Sequence, residues 1–255
     1  MRQNPKKYSS RIINLSDKKG IRLNKFLSNA GICSRREADR FIVMGLVTVN
    51  GRSVTEMGFQ VQRSDEVRYD GQIVKNSPPV YILLNKPKGF VATKQGGKIK
   101  KSVQDLIRTA HTEKVAPIGD MGRTITGLLF LTNDDVLRKR LSQAQSKVKM
   151  IYKVTLEKKI SVTDFVKLRK GVLLQNRAYS IKKVDYVIGG TKKEIGVEVE
   201  NLSPAVLVKM FDKINHKVFF MDRVMYASLT KKDLPRGRWR KLNEREIQLL
   251  HLCAQ

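Results

Sequence analysis

At 255 residues and 41% hydrophobic composition, the chain is long enough for one ordinary domain plus a small one, and apolar enough to bury a core. Its formal net charge of +28 calls for a polyanionic partner, most simply nucleic acid, rather than a membrane surface, since no basic amphipathic helix with a bulky apolar face stands out. With no run of 18 apolar residues, no apolar stretch in the basic start, and Cys33 and Cys253 forming neither a disulfide framework nor a paired metal-ligand motif, the sequence gives no sign of a membrane span, secretory leader or oxidising compartment and fits the cytoplasm.

Residues 1–20 read as a basic flexible tail, with Arg2, Lys6, Lys7, Arg11, Lys18 and Lys19 against Asp17 alone. Residues 21–75 read as a compact unit. Leu23, Phe26, Leu27 and Ala30 carry helical spacing that Gly31 ends. Ser34 and Glu37 form a capping box for a second helix, whose apolar face is Ala38, Phe41 and Ile42 and whose stop is Gly45. Val47 to Val49 is a strand entering an Asn50-Gly51 hairpin turn, and strands are expected again at Val54 and at Val67 to Tyr69. Residues 76–80 are linker-like.

From residue 81 a larger domain is expected to run to the end. It opens with an apolar strand, Val80 to Leu84, that leads into Lys86-Pro87-Lys88-Gly89. Lys94 to Lys101 is a basic glycine-containing loop, not a P-loop, because Ile99 follows Lys98. A short helix follows over 103–110, a buried strand over 128–131, and a helix through Val136, Leu137 and Leu141 capped by Thr132 to Asp135. Then come a strand over 151–156, a helix over 162–169 ended by Gly171, strands near 180–188 and 195–200, a helix near 204–212, a strand over 217–221 and a C-terminal helix. The fold class is α+β, with a mixed, largely antiparallel sheet in the larger domain. His111, His216 and His251 are scattered without ligand spacing, so no metal site is expected.

Two resemblances sharpen this. Arg22-Leu23-x-Lys25-Phe26-Leu27, Gly31-Ile32-x-Ser34-Arg35-Arg36-Glu37-Ala38 and Gly45-x-Val47-x-Val49-Asn50-Gly51 together resemble the αL RNA-binding domain named after a small-subunit ribosomal protein. That resemblance implies RNA contacts from Arg22, Lys25, Ser34, Arg35, Arg36, Arg40 and Asn50. Independently of it, Arg35 and Arg36 fall in the first turn of a helix, where backbone N–H groups already favour anions and two guanidinium forks can grip phosphates.

The stretch Ile118 to Asp135 resembles the signature of the RsuA/RluB family of RNA pseudouridine synthases, roughly G-R-L-D-x-x-T-S-G-L-L-L-L-T-N-D-G. Thr126 to Asp134 fixes the register, and the family's opening Y-x-x-x-x-K-P-x-G and its ending around Gly237, Arg240 and Leu242 are present as well. The resemblance implies cofactor-free isomerisation of uridine in ribosomal RNA or ribosomal particles, a base-stacking Tyr152, and Lys86, Lys88 and Arg123 lining an RNA groove. In this register the family's catalytic aspartate falls on Gly122, which supplies neither a nucleophile nor a base. Asp120 is the fallback, displaced by about 6–7 Å in an extended segment. The family's basic E-G-R-N-R-Q-V-R-R-M-F motif, in register at Met210-Phe211, has Ser203, Ala205 and Val208 in place of arginines and keeps only Lys209.

These substitutions make the leading expectation a catalytically degenerate rRNA-binding protein of this family, acting in ribosome assembly or as a ribosome-associated factor. The alternatives are a working isomerase that uses Asp120 or another carboxylate, and a translation-linked adaptor holding a protein partner in an apolar cleft, as Val206, Leu207 and Val208 suggest.

Overall fold

The computed structural model describes residues 20–62, 64–75, 78–93, 101–110, 114–143 and 148–253. The basic tail as far as residue 19, most of the basic loop 94–101, Asn76 and Ser77 of the linker, and His111 lie outside the described residues. The chain divides into two compact units between Ser77 and Pro78.

The first unit contains β1 (Ile21–Arg22), α1 (Leu23–Asn29), α2 (Arg35–Val43), β2 (Val47–Val49), β3 (Arg52–Ser53), β4 (Gln60–Val61), β5 (Val67–Tyr69) and β6 (Gln72–Ile73). Leu23, Phe26, Leu27, Ala38 and Ile42 bury the inner faces of the two helices against Val47, Val61 and Val67. The capping box at α2 forms: the Glu37 amide donates to Ser34 Oγ at 3.3 Å and the Ser34 amide to Glu37 Oε2 at 2.7 Å. β2 lies between β3 and β5 in an antiparallel four-stranded sheet closed by β6. Val54 lies just past β3, outside a strand.

The second unit runs β7 (Tyr81–Lys86), α3 (Val103–Ile107), β8 (Ala116–Pro117), β9 (Thr126–Thr132), α4 (Asp135–Ser142), β10 (Lys149–Leu156), α5 (Val162–Lys170), β11 (Val172–Leu174), β12 (Arg177–Tyr179), β13 (Lys183–Tyr186), β14 (Glu194–Glu200), α6 (Pro204–Lys213), β15 (Val218–Tyr226), β16 (Leu229–Thr230), β17 (Trp239–Lys241) and α7 (Glu244–Cys253). Nine strands form one mixed sheet along β13-β14-β10-β15-β9-β7-β17, with β16 beside β15 and β8 beside β9. Its ladders are antiparallel except where β15 meets β9 in parallel, Asp222 opposite Thr126 and Arg223 opposite Gly127. The fold is α+β, with the mixed, largely antiparallel sheet expected from the sequence.

The strand expected at 217–221 runs on to Tyr226, so that it carries Asp222 and Arg223 into the centre of the sheet. The strand expected near 180–188 is β13, Lys183–Tyr186, while the hairpin of β11 and β12 before it, in a sheet of its own, was not expected.

Thr132-Asn133-Asp134 fastens the sheet to α4. Asp134 Oδ1 accepts from the Val136 and Leu137 amides at 3.0 Å each, its Oδ2 accepts from the Tyr81 hydroxyl at 3.0 Å, and Asn133 Oδ1 accepts from the Val80 amide at 2.7 Å. This part of the signature is therefore structural.

Candidate active site

Every residue of β9 is buried, as its run of Leu128 to Leu131 demands of a strand covered on both faces. Its partner β15 holds two charged residues side by side in an otherwise apolar stretch, Asp222 at 3% exposure and Arg223 at 2%. Successive side chains on a strand point to opposite faces, so the two serve different surroundings.

Asp222 is neutralised. Its Oδ1 accepts from the Thr126 hydroxyl at 2.6 Å and from Arg236 Nη1 at 2.7 Å, and its Oδ2 pairs with Lys231. Burial pushes its carboxyl up, but the hydrogen bonds from Arg236, Lys231 and Thr126 together hold it below the ordinary carboxylate value.

Arg223 is less completely satisfied. Its Nε donates to the Leu128 carbonyl at 2.6 Å, while Nη1 reaches only Met150 Sδ at 3.6 Å and Tyr152 Oη at 3.5 Å. Its Nη2 is buried with no hydrogen-bond partner among the described residues. Its guanidinium carbon also lies 5.1 Å from the Tyr226 ring centroid. Burial pushes the Tyr226 phenol up to about 12, against the opposing pull of the Arg223 charge, so it is neutral and a donor at any physiological pH.

Arg223 and Tyr226 form one wall of a cavity of about 340 Å³. The loop Ile118-Gly119-Asp120, Met150 on β10, Arg177 and Tyr179 on β12, and the start of α6 at Ser203 to Val206 complete it. Most of its surface is apolar, with a few polar groups converging on it, the usual character of a small-molecule or base pocket. Asp120 is the only carboxylate among the described residues that line it.

Gly122 lies two residues on, and a Cβ there would meet nothing within 4 Å. The loop carrying Asp120 and Gly122 is held from behind by Lys86. That ammonium is fully buried and donates to the carbonyls of Gly122 at 2.9 Å and Ile125 at 2.5 Å. Its pKa falls to about 8, chiefly from burial and next from the Arg223 charge, with Asp120 pulling the other way. Lys86 therefore positions the loop and does not line an RNA groove, which corrects the expectation for it. Lys88 and Arg123 remain exposed on the same unit.

Tyr152 also differs from its expected place. It is fully buried, with its hydroxyl against Met150 Sδ at 3.5 Å, and the tyrosines that line the cavity are Tyr179 and Tyr226. The alternation of β10 places Tyr152 with Met150, Val154 and Leu156 on the buried face of the strand. Ser203 and Ala205, two of the lost arginine positions, have become a helix start: Ser203 Oγ accepts from the Val206 amide at 3.3 Å and Pro204 fills the first turn of α6.

In the first unit, Arg22, Ser34, Arg35, Arg36 and Arg40 are exposed and Lys25 is half-buried. Asn50 is spoken for by the segment that leads into β5: its amide nitrogen donates to Asp65 Oδ1 at 3.0 Å and its oxygen accepts from the Glu66 amide at 2.9 Å. It has φ 51°, so its first role is the turn. Among the described residues no group of three His, Cys, Asp or Glu side chains is placed to hold a metal ion, and no helix is long and apolar enough to cross a membrane.

The first unit thus presents an exposed basic helix start, and the second a pocket that sets a buried guanidinium beside an acid-bearing loop. Residues 21–67 match the S4 domain and residues 80–212 match the RNA pseudouridylate synthase family. The chain belongs to the RNA pseudouridylate synthase family. It is 32% identical over 237 residues to the ribosomal large subunit pseudouridine synthase B of Bacillus subtilis strain 168, covering 91% of this chain and 96% of that one. It is also 32% identical over 235 residues to the dual-specificity RNA pseudouridine synthase RluF of Escherichia coli strain K12, covering 89% of this chain and 77% of that one. A crystal structure of a pseudouridylate synthase shares the fold, with a TM-score of 0.61 at 22% identity, over 90% of this chain and 99% of that one.

Proposed function

We propose that this chain acts on ribosomal RNA as a uridine-to-pseudouridine isomerase, with Asp120 as its carboxylate. The observation that carries this reading is that Asp120 lines the same cavity as Arg223, Tyr226 and Met150, and is the only carboxylate among the described residues to do so. An extruded base enters a pocket of this kind by leaving its stack, and the isomerisation then needs a carboxylate at the ribose or the ring. Gly119, at φ 74°, makes the turn that presents Asp120 to the cavity. The relatives that span almost the whole chain are named as ribosomal or dual-specificity RNA pseudouridine synthases, which supports rRNA as the substrate class. The S4 domain brings the chain to RNA through Arg35 and Arg36.

A second reading is favoured by Gly122: a family member that binds rRNA without isomerising it. It draws on the absent carboxylate at that position and on Ser203, Ala205 and Val208, where the family signature carries arginines.

Pseudouridine mapping of ribosomal RNA, from cells with and without the chain, separates the two. The proposal expects one or a few modified uridines to vanish with the chain, to return with the intact protein, and not to return with Asp120→Asn. An unchanged map, with the protein still co-sedimenting with ribosomal particles at low salt, overturns it in favour of binding alone.

A further inference from the structure

The cavity at Arg223 does not end at its own walls. Tyr179 and Val206 line it and also line a second hollow of about 510 Å³, between the β11–β12 hairpin and α6. Leu173, Leu174, Lys209 and Lys213 also line this second hollow.

Val206, Lys209 and Lys213 stand at i, i+3 and i+7 of α6, so they form one face of the helix. Facing them is a short hairpin, Val172 to Leu174 paired with Arg177 to Tyr179. Its turn residues, Gln175 at φ 46° and Asn176 at φ 63°, are both left-handed, which presets the hairpin geometry. On this hairpin Leu173 is 60% exposed, an apolar side chain left open to water beside two lysines. The Arg177 guanidinium lies 5.2 Å from the Tyr179 ring centroid, at the border of the two hollows. An apolar or aromatic platform edged by lysines is the ordinary make-up of a single-stranded nucleic-acid subsite, with bases on the platform and phosphates at the ammonium groups. Asp212 also borders the hollow, but the two lysines outweigh it.

We propose that this hollow is a second nucleotide subsite, which holds the nucleotide adjoining the uridine in the Arg223 cavity on the same RNA strand. Continuity through Tyr179 and Val206 sets the strand's path, and Lys209 and Lys213 match its backbone charge. The subsite would thus hold the neighbouring base by stacking, with little preference among bases. It rests on the reading of the first cavity as a uridine pocket.

The test is titration of the intact chain with uridine 5′-monophosphate and with the dinucleotide UpU. The monophosphate carries at least as much charge as UpU, so a preference for UpU reports the second base. UpU is expected to bind roughly ten- to a hundredfold more tightly, the range expected for one stacked base. Leu173→Glu and Lys209→Glu, both at exposed positions, are expected to reduce UpU affinity to that of the monophosphate while leaving monophosphate binding unchanged. Equal affinities for the two ligands, or a UpU preference that survives both substitutions, overturns the subsite while leaving the uridine pocket standing. Failure of both ligands to bind overturns the pocket reading and the subsite with it.

Discussion

The backbone of Arg223 passes across Gly127 so closely that no side chain fits between them. A Cβ on Gly127 would collide with the Arg223 carbonyl oxygen and come within 2.5 Å of its amide nitrogen. The same glycine has φ 104°, which L side chains rarely adopt. Gly127 is therefore what lets β9 and β15 run in parallel at this point, and that crossing places Arg223 in its cavity.

Gly127→Ala is expected to destabilise the second unit severely, by about 3 kcal/mol or more, because backbone strain and overpacking add at one position. Chemical denaturation followed by a tertiary probe checks it. A variant within about 0.5 kcal/mol of the parent would mean that the crossing relaxes at little cost.

Gly122→Asp tests the position that the family signature marks. A Cβ at Gly122 would meet nothing within 4 Å, and its φ lies outside the left-handed region. The variant is expected to fold as the parent does and to form pseudouridine on the order of a hundredfold faster, since a misplacement of about 1 Å already costs that much. Single-turnover assays on ribosomal RNA provide the measurement, and a rate at or below the parent's would show that the pocket has lost more than one carboxylate.

Lys86 makes stability depend on alkaline pH. Its pKa is about 8 in the fold against 10.5 ordinarily, so between these values the unfolded chain holds more protons. Stability therefore rises as pH climbs from about 8 to 10.5, and below 8 the cost of the buried charge is borne in full. Lys86→Met should remove that rise and loosen the loop at Gly122 and Ile125. Parallel pH-dependent melts of parent and variant settle it, and identical slopes would refute it.

Asp222 gives a slope of the same sign at acid pH, but here the charged form is the favoured one. Its carboxyl is held below its ordinary value of 3.8, so its stabilisation is complete well above pH 3.8 and is lost as pH falls through the lower folded value. Asp222→Asn is expected to cost about 2–3 kcal/mol at neutral pH. That is less than for a fully buried pair, because Arg236 and Lys231 keep 39% and 33% of their side chains open to water. Urea denaturation at pH 7 and again near pH 3 should show the difference shrinking at the lower pH.

The S4 unit is expected to contribute to the salt dependence of RNA binding through Arg35 and Arg36. Replacing Arg35 and Arg36 by alanine is expected to weaken RNA binding about equally across sequences, and to reduce the slope of log affinity against log salt by about 2. Binding isotherms at several salt concentrations read this directly, and an unchanged slope would place the phosphate contacts elsewhere.

Several features were legible in the amino acids alone because their causes are local. The Ser34–Glu37 box, the Asn50-Gly51 turn and the Asp134 cap each depend on residues within a few positions of one another, and each formed as expected. The family signature from Thr126 to Asp134, and with it the glycine at position 122, was equally plain. Arg223 and the cavity were not. Two adjacent charges in the apolar run Val218 to Tyr226 hinted at a buried polar pair, but not at what would face each one.

Those answers come from the order of strands. β15 lies between β10 and β9, so Arg223 meets Leu128, 95 residues earlier, and Tyr152, 71 residues earlier. The same order turned Tyr152 into the core and Lys86 into a buried clamp, though a strand tyrosine and a lysine before proline look alike in the chain whether exposed or not. Local hydrogen bonding and periodicity fixed the elements. Which charges lost their water was decided only when distant strands closed over them, because burial is a property of the neighbours and not of the residue.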